Sequence, residues 1–140
     1  LLRSGGDQWD LALMLLNCGL EEAQAGSPTA GPLLIDALRA WQQLGITGGV
    51  AFALAGLGEA AAGRGAPRRA GQLLGAGQAL LPATDPVRRV VVPYDLPARL
   101  AAARARGDPA AFDQGVAEGQ AWDIDTAVAA GLANPADAGS

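Results

Sequence analysis

The 140-residue sequence contains no histidine and no lysine, and it has only one cysteine and few aromatic residues. The absence of histidine removes the commonest general base and the commonest metal ligand of proteins. The single cysteine, Cys18, excludes an internal disulfide and fits a reducing compartment. No apolar run approaches the ~20 residues that a membrane span requires, and nothing resembles a signal peptide. We therefore expect a cytoplasmic protein with no cofactor, no metal site and no membrane contact.

The charge of the chain is weakly acidic, with a formal net charge of −4 at neutral pH. Phosphate backbones are bound by basic surfaces, so we expect no direct contact of this segment with nucleic acid. One local basic patch is conceivable, from Arg64, Arg68, Arg69, Arg88 and Arg89. We favour the simpler interpretation, in which these arginines lie solvated on helix surfaces.

The composition favours helices over sheets. Half of the residues are apolar, but alanine and leucine supply most of them, whereas β-branched and aromatic residues are few. The length is that of one domain with a continuous core. Catalysis is not expected, because the closest carboxylate pairs, at 21–22 and at 123 and 125, lie at helix ends without a nucleophile or base beside them.

Residues 48–81 organise the rest of the chain, because they predict two helices joined by a hinge at 64–67. Each half has apolar residues at helical spacing, which indicates one buried face per helix. Gly65 suits the left-handed end of the first helix, and Pro67 suits the first turn of the second. Such a pair cannot bury its apolar face alone, so neighbouring pairs are expected.

The pattern recurs along the chain with a period of ~40 residues, which is typical of helical repeat arrays. Six positions of the first copy return in the second: Gly19, Gly26, Pro28, Gly31, Ile35 and Leu38 as Gly58, Gly65, Pro67, Ala70, Leu74 and Gly77. A third hinge follows at 106–109. We interpret Gly19 and Gly58 as sites of close helix packing, with Gly31 and Ala70 serving the same purpose on the second helix of each pair.

The predicted organisation is a single helical-repeat domain over residues 1–140. Its units are about 7–44 and 45–81, followed by an irregular last unit, 82–133, and a frayed tail, 134–140. Residues 1–6 read as the end of a helix whose beginning is missing, so we expect a fragment of a longer protein.

Within the first unit, Asp7 is the expected N-cap, and Leu11, Met14, Leu15 and Cys18 are expected to face the core. Ser27 should cap the second helix.

The last unit departs from the pattern because four prolines interrupt residues 82–97. We expect an extended or irregular segment over 82–96 that packs on the preceding repeat. Helices should resume near Pro97 and again at Asp108 and Pro109. Asp123 is the expected N-cap of a final helix, with 124, 127, 128 and 132 facing inward.

The hinge spacing and the small-residue positions resemble tetratricopeptide repeats. A closer resemblance joins three stretches: residues 6–19, 44–81 and 112–133. They are similar to the C-terminal end of large bacterial LuxR-type (MalT-like) regulators and related signal-transduction ATPases. Residues 69–76, RAGQLLGA, resemble the recurrent "RAARLLGAAEAL" helix of that family, and 112–128 resemble its closing "F…EG…SL-EEAV" signature. The long helix of the family is interrupted here by Pro93 and Pro97.

The resemblance implies an all-α, tetratricopeptide-like stack of antiparallel helix pairs, a fragment of an α-solenoid. It further implies a non-enzymatic regulatory tail that senses an effector or a protein partner. An upstream ATPase switch and a DNA-binding domain, both outside this sequence, would then do the chemistry and the operator reading. The alternative is a free-standing scaffold that binds a peptide or a small apolar ligand in its concave groove.

One side of each first helix would line that concave surface. The positions are Leu13, Leu16, Leu20, Phe52, Ala55 and Glu59. This side is unusually apolar for a surface in contact with water. Either a neighbouring helix or the 82–96 segment covers it, which we favour, or it is an exposed binding site for a ligand.

Overall fold

The computed structural model describes residues 5–81, 87 and 94–133, and within these ranges the chain is all-α. This confirms the all-α part of the predicted fold class. The helices are α1 (Gly5–Gln24), α2 (Ala30–Leu44), α3 (Thr47–Gly63), α4 (Pro67–Leu80), α5 (Leu96–Ala105), α6 (Pro109–Gln120) and α7 (Ile124–Leu132). None of these helices is long and apolar enough to cross a membrane.

Helices α1 and α2 form an antiparallel pair held by close contacts at both ends. The rings of Trp9 and Trp41 meet edge to face with centroids 4.9 Å apart. Towards the other end, a methyl group built on Gly19 would lie 2.7 Å from the Leu34 side chain. The absence of a side chain at Gly19 therefore allows α2 to approach, as the glycine pattern predicts.

Helices α3 and α4 repeat this arrangement. A methyl group on Gly58 would lie 2.8 Å from Leu74, and one on Gly77 would lie 2.7 Å from the carbonyl oxygen of Ala51. The hinges also match their prediction, because Gly26 and Gly65 have φ values of 73° and 78°. Glycine adopts this left-handed region without steric cost, so it ends both first helices.

Helix α3 is the centre of the fold. Fourteen of its seventeen residues are buried. On one side of it, Phe52 and Glu59 meet the segment that begins with Tyr94. On the opposite side of the helix, Leu54 and Leu57 contact Gly131 of α7. Helix α3 thus lies between α5 and α7, while α1, α2 and α4 complete its surroundings.

Helices α4 and α6 cross with their backbones in direct contact and run in the same direction. A methyl group on Gly71 would lie 2.1 Å from the carbonyl oxygen of Phe112, and one on Gly75 would lie 2.6 Å from that of Val116. Glycines of α6 return the contact: Gly115 and Gly119 lie against the backbone of Arg68 and Gln72. Two glycines four residues apart on each helix create this interface, because they leave both backbones bare on the facing sides.

The predicted core face of α1 is wrong in part: Leu15 packs against the core, but two of the other predicted residues are exposed. Met14 is 54% exposed and Cys18 is exposed, whereas Leu16 and Leu20 are fully buried. The helix carries apolar residues on several faces, so periodicity alone did not identify the packed one. Asp7 also lies inside α1 rather than at its N-cap.

Two details of α2 differ from the prediction as well. A side chain at Gly31 would meet nothing within 4 Å, so this glycine is not a packing site. The residue equivalent to Leu74 is the buried Leu34 rather than the half-buried Ile35. The helix begins at Ala30, after a turn in which the Ser27 hydroxyl accepts a hydrogen bond from the backbone N–H of Thr29.

Helices α5, α6 and α7 begin after aspartates, of which Asp108 and Asp123 were predicted and Asp95 was not. The side chains of Asp95, Asp108 and Asp123 each accept backbone N–H groups of the first turn that follows. In α7, positions 127 and 128 are buried as predicted, whereas Ile124 is 37% exposed. The expectations for residues 1–4, for most of 82–93 and for the tail lie outside the described residues.

Candidate ligand-binding cleft

The six positions predicted to line a concave groove do not form an open surface. Leu16 and Leu20 are fully buried. Phe52 and Ala55 are each 1% exposed, and Glu59 is 4% exposed. Leu13 is half-buried and packs against the core. The interpretation of these side chains as an exposed apolar site is therefore corrected in favour of the covered alternative.

Tyr94 and Arg99 provide part of this cover. The Tyr94 hydroxyl donates a hydrogen bond to one carboxylate oxygen of Glu59 at 3.0 Å, and the Arg99 guanidinium donates to the other. The Tyr94 ring also meets Phe52 edge to face, with centroids 5.9 Å apart. Because a buried carboxylate is costly unless it is paired and hydrogen-bonded, this network explains how Glu59 is tolerated in the interior.

The network also acts on the Tyr94 phenol. Burial raises the pKa of Tyr94 well above its ordinary value, and the negative charge of Glu59 raises it further, against an opposing effect of Arg99. The phenol therefore remains a hydrogen-bond donor at neutral pH and above. This fixes the start of α5 to the side of α3.

A cleft of about 520 Å³ opens at the edge of the fold where the three hinges meet. The α1–α2 hinge contributes residues 26–28, the α3–α4 hinge contributes Arg64, and the α5–α6 hinge contributes Arg106. We call this site the hinge cleft. Its volume lies within the range of small-molecule sites in proteins, which is roughly 300–1,000 Å³.

The walls of the hinge cleft are mainly apolar. Ala23 and Ile35 contribute side chains from α1 and α2, and Ala60 contributes one from α3. Glu59 also lines the cleft, but its carboxylate is already paired with Arg99. Near the first hinge, hydrogen bonds from Ser27 and Thr29 lower the pKa of Glu22, which is therefore negatively charged at neutral pH.

Arg64 and Arg106 are exposed and have no ion-pair or side-chain hydrogen-bond partner among the described residues. The other arginines of α4 to α6 are occupied. Arg68 pairs with Glu118, Arg104 pairs with Asp113, and Arg99 pairs with Glu59. The two guanidinium groups at the cleft thus differ from their neighbours in being available to bind a ligand.

Arg69 has a structural role instead, which corrects its assignment to the solvated surface. It is 8% exposed, and its guanidinium donates to the carbonyl oxygens of Ala130 and Ala133 at 3.1 and 3.3 Å. These carbonyls belong to the C-terminal end of α7, where a cation is favoured. Burial lowers the pKa of Arg69, and the positive charge of Arg64 lowers it further. Arg88 and Arg89 lie outside the described residues.

No group of three histidine, cysteine, aspartate or glutamate side chains in the described part of the chain could hold a metal ion. The Ser27 hydroxyl at the cleft is hydrogen-bonded to Thr29 and to the Glu22 carboxylate beside the first hinge. A second pocket of about 210 Å³, between the α2–α3 turn and α7, is lined by Val50, Ile124 and Asp125 among others.

The sequence carries a signal for this cleft that the groove hypothesis missed. The second and third hinges share the pattern Arg-Gly-x-Pro, at 64–67 and 106–109. Repeat-equivalent positions lie at the same edge of a helical array. The repeated arginine therefore indicates two guanidinium groups at one edge, and in the first hinge the same position is Ala25.

Comparison with models of known protein families, with curated proteins and with solved structures finds no match for this chain.

Proposed function

We propose that this chain is a non-enzymatic sensing module that binds a small effector in the hinge cleft. The observation that carries the proposal is the convergence, on a partly apolar cleft of about 520 Å³, of two guanidinium groups that have no partner within the described ranges. Clefts of this kind, with few polar groups on apolar walls, are the usual form of ligand sites. The side chains that line the cleft are suited to holding a ligand rather than to transferring a proton or a group.

We further propose that the module is the tetratricopeptide-like tail of a cytoplasmic, bacterial LuxR-type (MalT-like) transcriptional regulator. Two antiparallel helix pairs with matching glycine hinges support this assignment, together with the sequence resemblance between residues 6 and 133. Its protein partners would be the upstream ATPase and DNA-binding domains of the same polypeptide. The position of α6 on α4 supports an irregular end to the array.

The alternative, a scaffold that binds a peptide in an open concave groove, requires exposed side chains at the predicted positions. Five of the six are buried, and Phe52 and Glu59 are covered by Tyr94 and Arg99. The hinge cleft is therefore the better-supported place for a ligand.

A thermal-shift screen of the chain against sugars, nucleotides, amino acids and short peptides tests the proposal. A ligand at about 100 times its Kd adds about 2.7 kcal/mol to the free energy of unfolding, because it binds only the native state. Gly31→Leu is the matched variant, since Gly31 lines the cleft and faces open space, so a larger side chain should fill the cleft and leave the core intact. Ala79→Leu, at an exposed position of α4 outside the cleft, is its control.

The proposal expects a dose-dependent rise in Tm that Gly31→Leu abolishes and Ala79→Leu preserves. A flat screen on a protein that melts cooperatively would contradict a sensing role. A rise that persists in both variants would place the ligand elsewhere on the molecule.

A further inference from the structure

The charge around the hinge cleft differs in sign from that of the chain. The whole sequence has a net charge of −4. The charged groups at the cleft are Arg64 and Arg106, which pair with no described side chain, Glu59, which is balanced by Arg99, and Glu22 beside the first hinge. The local balance is therefore positive, and the two arginines favour an anionic group on the ligand.

Arginine at both positions further restricts the ligand chemistry. Guanidinium groups present planar sets of N–H donors that match the oxygens of a carboxylate, and these charge-assisted hydrogen bonds are stronger than neutral ones. The walls supplied by Ala23, Ile35 and Ala60 are apolar, so the part of the ligand outside its anionic group should be apolar too.

From these observations we infer that the hinge cleft binds a small organic carboxylate whose head group bridges Arg64 and Arg106 and whose apolar body lies against Ile35. The inference rests on the proposed function and names its ligand class. It goes beyond that function by assigning the two arginines as the residues that determine specificity.

The bridge has a mechanical consequence, because the two arginines belong to different elements. Arg64 ends α3 and Arg106 ends α5. The Arg106 Nη1 atom already reaches to 3.4 Å from where a side chain of Gly63 would begin. Tyr94 and Arg99 fasten the beginning and the middle of α5 to α3. A carboxylate between the two arginines would hold the C-terminal end of α5 against α3 as well. Ligand binding should therefore make local unfolding of α5 less frequent.

The experiment uses hexanoate and phenylacetate as probes, with hexanamide and phenylacetamide as uncharged counterparts of the same shape. Binding to the chain is measured by calorimetry, and exchange of the α5 amides is followed with and without probe. We expect the acids to bind, the amides to bind at least tenfold more weakly, and the acids to slow exchange in α5. Arg64→Gln and Arg106→Gln should each weaken acid binding at least tenfold, whereas Arg39→Gln, at an exposed site of α2 outside the cleft, should not change it.

Four results would overturn the inference. Amides that bind as well as acids would show that the arginines do not select charge. Acid binding that survives both arginine substitutions would place the carboxylate elsewhere. Binding only of peptides with a free C-terminal carboxylate, and of no small acid, would assign the site to a protein partner. A neutral ligand that is lost in Gly31→Leu but unaffected by the arginine substitutions would refute the carboxylate and still leave the sensing function intact.

Discussion

The crossing of α4 and α6 offers the strongest test of the fold, and Gly71→Ala is the perturbation. A methyl group there would lie 2.1 Å from the Phe112 carbonyl oxygen, whereas ordinary contacts begin near 3.4 Å, so the two backbones would have to separate by about 1.3 Å. Neither partner is a flexible side chain, so the strain should reach about 3 kcal/mol, the upper part of the usual range for overpacking. Alanine returns about 1 kcal/mol through its higher helix propensity. The net loss should be about 2 kcal/mol.

The control for this substitution is Gly31→Ala, the same exchange at the second position of α2. Nothing lies within 4 Å of the added methyl group, so only the gain in helix propensity remains. We take about 0.5 kcal/mol, the lower end of the range, because Gly31 lies in the first turn and not in the helix interior. The assay is urea unfolding followed by circular dichroism, with Tm measured in parallel. We expect Tm to fall by about 8 °C in Gly71→Ala and to rise slightly in Gly31→Ala. A Gly71→Ala protein as stable as the wild type would refute the direct backbone contact.

Three further predictions concern hydrogen bonds. The pKa of Tyr94 is raised in the folded protein, so stability should be lost as pH rises above about 10, the pKa of tyrosine in the unfolded chain. Ultraviolet titration of Tyr94, the sole tyrosine, should show ionisation at a higher pH than that of a free tyrosine. Ionisation at the pH of a free tyrosine would contradict its hydrogen bond to Glu59. Hydrogen bonding to Arg68 lowers the pKa of Glu118, so its stabilising effect is present above about pH 4.3 and is lost as pH falls through the folded pKa. Glu118→Gln should therefore flatten the acid limb of a plot of urea midpoint against pH, and an unchanged limb would exclude this pair as a contributor. Asp108→Ala should lower the free energy of unfolding by about 1 kcal/mol through loss of the α6 cap, whereas Asp108→Asn should retain most of the capping stabilisation. Equal losses of stability for the two variants in urea unfolding would contradict a capping role.

Local features of the chain were predictable because they depend on few residues. Gly65 and Pro67 specify a hinge through their own backbone geometry, and the structure has it where predicted. Aspartate caps at 108 and 123 follow from the same kind of local rule. The packing role of Gly19 and Gly58 was also correct, since a glycine that recurs at the same place in two helices is typical of close helix packing.

The errors concern the direction in which helices face. In α1 both sides are apolar, so sequence alone could not show that Leu16 is buried while Met14 is exposed. The candidate site failed for a related reason. Burial of Glu59 depends on Tyr94 and Arg99, which follow it by 35 and 40 positions. No local sequence pattern predicts contacts over that distance. The repeated hinge arginines at 64 and 106 are a sequence feature that points to the cleft, but the prediction did not use them.

The order of contacts along the chain has a consequence for the path of folding. Gly19 meets Leu34 and Gly58 meets Leu74 across 15 and 16 positions, whereas Gly71 meets Phe112 across 41. Closing short loops costs less entropy, so the two helix pairs should form early and α6 should dock late. Interactions absent from the transition state affect mainly the unfolding rate. The glycine contact between α4 and α6 should therefore affect mainly the unfolding rate, and the hinges should affect mainly the folding rate.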